Sequence, residues 1–222
     1  MPTIEQARAW YDADDPVHGF DHVLRVLGIA RELGRALGAD LEILQAAALL
    51  HDASGAAPRA SGSTGERATH EKASAEFARS VLASEHWPDD RIDAVAQCIR
   101  SHRYRTDEAP GSLEAKILFD ADKLDVLGAF GIARTIGYAV QAGQPVYAPP
   151  SQQFLETGDK VPGEPHSAYH EYLFKLRHVA NRLHTLQAQR MAEQRLDLLE
   201  AFFQALHEEA GAGQDPDTPA VD

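Results

Sequence analysis

In the stretch AAALLHDASG, residues 46–55, five apolar residues run straight into His51 and Asp52 before a glycine ends the run. Apolar neighbours make burial of that carboxylate the expectation, and a buried carboxylate is costly unless it is paired or bound to a cation. Consecutive helical residues point roughly 100° apart, so His51 and Asp52 reach one ion only if it lies across the helix terminus and a further element closes the site. Two other stretches offer closure. In HGFDHVLRV, residues 18–26, His22 opens an amphipathic helix and Arg25 shares its face three residues on, which sets a candidate metal ligand beside a candidate anion clamp. In FDADKLDVLG, residues 119–128, Asp120, Asp122 and Asp125 fall within six residues of a mostly apolar helix. Several acids there cost stability unless a cation or hydrogen bonds compensate. The expected arrangement has Asp122 pointing inward, Asp125 supporting a ligand or in a salt bridge, and Asp120 facing water.

The elements that must position these groups read at helical period almost throughout, with no credible run of alternating strand. Helices are expected near 3–12, 19–37, 40–51, 67–84, 89–102, 113–142, 166–187 and 188–208. Gly38 is a natural stop, Asp40 a natural N-cap, and WPDD at 87–90 caps the fifth helix. Two connections are long: 53–66, ASGAAPRASGSTGE, and 143–165, GQPVYAPPSQQFLETGDKVPGEP. Loops of that length and composition are lids, binding loops or disordered segments. The fold class is therefore all-α: one helical domain over residues 1–208 with two long loops. Residues 209–222 have almost nothing to bury and are expected to form a disordered tail.

Lys and Arg number 21 against 34 Asp and Glu, a net charge of −13 that argues against nucleic-acid polymers and anionic membranes as partners. A phosphate-bearing ligand would need local positive charge or a cation. No apolar run approaches the roughly 20 residues of a membrane span, and the first residues lack the cationic start and apolar core of a signal peptide. The single cysteine, Cys98, sits on the apolar stripe of a helix and cannot form an internal disulfide, which fits a reducing cytoplasm. Of the eleven histidines, His18, His22, His51, His70, His102, His166 and His170 fall at or near helix ends or beside loops. Any one of them alone is explained by packing or solvation. HEKAS, residues 70–74, has Ser74 where a zincin motif needs its second histidine, which excludes that protease class.

The ordered series His22, His51–Asp52, Asp122 resembles the metal-dependent HD phosphohydrolase superfamily. HGFDHVLRV, AALLHD, THEKASAEFA, LEAKILFDADKLDVLGAFGIART and HEYLFKL look like its small bacterial single-domain branch, similar to HD nucleotide pyrophosphohydrolases, over about residues 3–208. The resemblance implies an HD-type helical bundle in which His22, His51, Asp52 and Asp122 hold one divalent metal. That mixed nitrogen and oxygen set suits Mn, taken as first choice, or Fe, Co, Ni or Zn, with Mg less comfortable. The implied activity is hydrolysis of phosphate esters or anhydrides, most of all nucleotides and including pyrophosphohydrolysis of nucleoside triphosphates, by water that the metal activates. Asp52 contacts that water, Asp125 orients a ligand histidine, and His70 and His102 contact the phosphate or protonate the leaving group. Arg25, Lys123 and Lys175 are the candidate phosphate contacts, and Tyr147 and Phe154 are candidates to stack on a base. The candidates for general base are Glu66, a ligand carboxylate and the metal hydroxide itself. A regulatory nucleotide-binding module without turnover and a di-iron oxygenase using His70 and His102 are the alternatives, and a homodimer is left open.

Overall fold

A computed structural model describes residues 1–11, 19–53, 70–103 and 108–212, with side chains at all of these except residues 70 and 212. Helices α1 (Ile4–Arg8), α2 (Phe20–Leu37), α3 (Leu41–Leu50), α4 (His70–Ser84), α5 (Asp89–Arg100), α6 (Leu113–Leu124), α7 (Gly128–Gln141), α8 (Gln152–Thr157), α9 (Ala168–Phe174) and α10 (Leu186–Ala212) follow in order, with a 3-10 turn over Leu176–Arg182. No strand occurs among the described residues, and no helix there is long and apolar enough to cross a membrane. The chain forms two compact units, Met1–Asp125 with Leu183–Arg190, and Val126–Arg182 with Met191–Asp222.

The first unit is built around α3. Its Leu44, Ala46, Ala47, Ala48, Leu49 and Leu50 are all buried in a helix enclosed by α2, α4, α5 and α6. Gly34 lets α2 come close to α3, because a Cβ there would stand 2.6 Å from Leu44 Cδ1. The expected caps are present: Asp40 accepts from Glu42 N at 3.0 Å and Ile43 N at 3.1 Å, and Gly38 ends α2 at φ 72°. Asp40 also receives two bonds from Arg91 of α5, at 3.0 and 3.2 Å, which tie the start of α3 to α5. In WPDD the N-cap residue is Pro88, without a side-chain bond, and Asp89 and Asp90 lie in the first turn of α5 facing its positive end.

Four expectations need correction. The single helix expected over 166–187 is the short α9 followed by the 3-10 turn over Leu176–Arg182. The single helix expected over 113–142 breaks into α6 and α7: Asp125 caps α6, and α7 begins at Gly128 with φ 68°. Gly131 permits that junction, since a Cβ there would stand 2.2 Å from the Val126 carbonyl oxygen. Asp120 does not face water. It is fully buried and accepts from His184 N, Thr185 N and Thr185 Oγ1 at 2.8, 2.8 and 2.7 Å, which anchors the residues leading into α10. The C-terminal helix runs through Ala212, four residues into the expected tail, and the remainder of that stretch lies outside the described residues. So do His18, residues 54–66 with Glu66, and the first residues of the helix expected from 67.

In the second unit the expected loop at 143–165 contains α8 and is held by Glu164. Its carboxylate accepts from Ser151 N at 2.7 Å, Ser151 Oγ at 2.7 Å, Val161 N at 2.8 Å and His170 Nε2 at 3.0 Å. Burial alone would raise its pKa, but these donors outweigh it and push the carboxyl down to about 2. Tyr147 and Phe154 are engaged in packing. Phe154 is buried with its ring centroid 4.5 Å from that of His170, and the Tyr147 hydroxyl lies 2.9 Å from His207 Nδ1.

Candidate metal centre

Four elements of the first unit converge on one point. His22 stands in the first turn of α2, His51 is the C-cap of α3 with Asp52 following, Asp122 lies in the last turn of α6, and His102 follows the end of α5. All three histidines are buried, whereas Asp52 and Asp122 keep a partly open edge with side chains 16% and 15% exposed.

Hydrogen bonding fixes the tautomer of each imidazole. His22 Nδ1 lies 2.7 Å from Asp125 Oδ2, His51 Nδ1 2.8 Å from the Ala48 carbonyl, and His102 Nδ1 2.5 Å from the Ile99 carbonyl. A carboxylate or a carbonyl only accepts, so each Nδ1 carries a proton and Nε2 is the ring nitrogen left to face a ligand. Those Nε2 atoms point inward. His22 Nε2 lies 3.4 Å from His51 Nε2 and 3.3 Å from Asp122 Oδ1, His51 Nε2 lies 3.6 Å from Asp52 Oδ2, and His102 Nε2 lies 3.6 Å from Asp52 Oδ1. One ligand atom each from His22, His51 and Asp52 fall within 4.8 Å of one another, with Asp122 adjoining through His22.

The electrostatics suit a cation. Burial, helped by His102 and His22, lowers the His51 pKa to about 4 against the opposing pull of Asp52 and Asp122, so the ring is neutral at physiological pH. Burial would raise both carboxyls, yet Asp52 is held well below the usual range by His51 and His102, and Asp122 by Lys123 and His22. Two ionised carboxylates and converging imidazole Nε2 atoms form a donor set of nitrogen and oxygen, without thiolate, that matches Mn, Fe, Co, Ni or Zn.

The remaining expected site residues fall as follows. Asp125, 1% exposed, holds the proton on His22 Nδ1 and receives two bonds from Arg25, Nε to Oδ1 at 2.6 Å and Nη2 to Oδ2 at 3.1 Å. Lys123 reaches Asp122 Oδ2 at 2.5 Å and sits 5.2 Å over the Phe119 ring. His70 opens α4, and its side chain lies outside the described residues. Lys175 belongs to the second unit, where its Nζ lies 2.6 Å from Glu171 Oε1. The sequence reading misses the pairing of Arg25 with Asp125, although one signal is present: Arg25 follows His22, and Asp125 follows Asp122, at the same spacing of three.

The model of the HD domain family matches residues 19–127, the span that contains every group of this centre. Residues 19–127 of this chain are an HD domain. YpgQ of Bacillus subtilis (strain 168) is 27% identical to it over 213 residues, covering 94% of each chain. The crystal structure of YpgQ in complex with ADP covers 93% of this HD-domain chain and 97% of its own, with a TM-score of 0.70 at 25% identity. A crystal structure from Lactobacillus plantarum gives a TM-score of 0.72 at 26% identity, covering 94% of this chain and 95% of that one. An HD-superfamily hydrolase from Bacillus thuringiensis gives 0.68 at 25% identity with the same coverage, 94% and 95%. The all-α architecture of this HD-domain protein is thus shared with HD-superfamily hydrolases.

Proposed function

We propose that this protein is a metal-dependent phosphohydrolase acting on nucleotides, with one divalent ion, Mn²⁺ by first choice, held by His22, His51, Asp52 and Asp122. The observation that carries the reading is the convergence of Nε2 atoms and ionised carboxylates in one partly open cluster. A divalent ion bound there supplies Lewis-acid chemistry, lowering the pKa of water and neutralising charge on a phosphoryl oxygen. The chain's own groups do the rest. Asp125 fixes the His22 ring, Asp52 accepts a proton from the attacking water, and His102, and in this reading His70, face the phosphate as contacts or proton donors to the leaving group. Lys123, beside Asp122, adds positive charge for the phosphate in a chain of net charge −13. The nucleotide class is supported by the ADP bound to the similar protein YpgQ. Hydrolysis of nucleoside triphosphates between the α and β phosphates is the reaction we favour.

The test is release of phosphate or pyrophosphate from a panel of nucleoside mono-, di- and triphosphates with Mn²⁺, compared between wild type and Asp52→Ala. Turnover in the wild type and its loss in the variant support the reading. Nucleotide binding without turnover would instead assign a regulatory module. One specific observation bears on a two-metal centre of the oxygenase kind, the 3.6 Å from His102 Nε2 to Asp52 Oδ1. Metal content distinguishes it: two ions per chain favour that centre, one favours the hydrolase.

A further inference from the structure

We infer that Arg25 is a positioning residue that sets metal affinity through Asp125, and not a phosphate clamp. This rests on the metal-centre reading above. Arg25 and His22 stand on the same face of α2 and both bind the same carboxylate, that of Asp125 at the end of α6. The guanidinium holds the two oxygens of Asp125 at 2.6 and 3.1 Å, a fork that fixes the plane of the carboxylate. With that plane fixed, Oδ2 at 2.7 Å dictates the direction of the His22 Nδ1–H bond, and hence where Nε2 points.

The geometry reaches further than one ring. Asp125 follows Asp122 by three residues, so a two-pronged tie from α2 onto Asp125 also sets the separation of His22 from Asp122, the ligand 3.3 Å away on α6. For Arg25 to turn the same Nε and Nη2 fork onto a substrate phosphate it would have to leave Asp125, and a carboxylate that is 1% exposed would lose that cation, a strongly unfavourable exchange. Lysine cannot substitute, because a point charge lacks the planar fork.

The experiment titrates metal-free protein with Mn²⁺ in the absence of nucleotide, reading free Mn²⁺ by electron paramagnetic resonance, for wild type, Arg25→Lys, Asp125→Asn and the double variant. Melting curves of the metal-free forms check folding. Arg25→Lys is expected to weaken Mn²⁺ binding by about tenfold to a hundredfold, as loss of a group supporting a ligand does. The double variant binds no more weakly than Asp125→Asn alone, and KM for nucleotide at saturating Mn²⁺ is unchanged in Arg25→Lys. Unchanged Mn²⁺ affinity in Arg25→Lys, additive losses in the double variant, or a raised KM at unchanged affinity overturns the inference. Should Arg25→Lys not fold, unchanged affinity in Asp125→Asn overturns it alone. Because the titration contains no substrate, a protein that binds Mn²⁺ but cleaves no nucleotide would sink the hydrolase reading while leaving the role of Arg25 decided.

Discussion

The Nε2 atoms of His22 and His51 lie 3.4 Å apart with both Nδ1 protons committed to other acceptors, so the two remaining ring nitrogens face one buried point. In the metal-centre reading a cation bound at that point is held by both nitrogens. The folded protein should therefore be stabilised by metal through linkage. At a free Mn²⁺ concentration about 100 times the Kd, unfolding free energy rises by about 2.7 kcal/mol, seen as a higher Tm by calorimetry. His51→Ala is expected to show no such rise, and chelator returns the wild type to its metal-free Tm.

Asp120 should behave as a purely structural acid. It satisfies two backbone N–H groups and the Thr185 hydroxyl, and its loss leaves those donors buried and unmet. Asp120→Ala is expected to cost about 2–4 kcal/mol in denaturant unfolding, while Mn²⁺ affinity stays that of the wild type. A loss of metal binding without loss of stability would place Asp120 in the centre after all.

Glu164 should govern the order of residues 151–161. Replacing it by Gln sets an amide NH₂ against N–H donors, so the amides of Ser151 and Val161 are expected to exchange hydrogen about tenfold faster. The pH dependence follows from the direction of its shift. A carboxyl pushed down to about 2 in the folded state contributes stability above its unfolded pKa and loses it as pH falls toward 2. Protection of those amides should accordingly decline between about pH 4 and pH 2 in the wild type, and not between pH 8 and pH 5.

Cys98 should be chemically silent. It is fully buried, and burial first, then Glu114, pushes its thiol up to about 12. A disulfide reagent at pH 8 is expected to leave the native protein unmodified and to label one thiol per chain after unfolding.

Much of this was legible in the chain because it is written in local pattern. The run into His51–Asp52, the amphipathic stripe behind His22, and the inward Asp122 are all set by spacing along single helices. What stayed hidden depends on partners distant in sequence. Asp120 is buried by residues 64 and 65 positions away, which no local period reveals. Arg25 finds Asp125 100 residues on, so its type suggested a phosphate while its neighbour turned out to be a carboxylate. The break after Asp125 arises from a backbone approach at Gly131 that helical propensity does not encode. Glu164 and His170 lie only six residues apart, yet Ser151 at the far side of the loop completes their network.

Equilibrium dialysis of metal-free protein against Mn²⁺, with bound metal counted per chain, tests the central claim most directly. The cluster of His22, His51, Asp52 and Asp122 predicts one ion per chain in the wild type and loss of that ion when either His51 or Asp52 becomes alanine, with the variants still folded. Equal loading of wild type and both variants, or no loading of any of them by Mn²⁺, Fe²⁺, Co²⁺, Ni²⁺ or Zn²⁺, would contradict it.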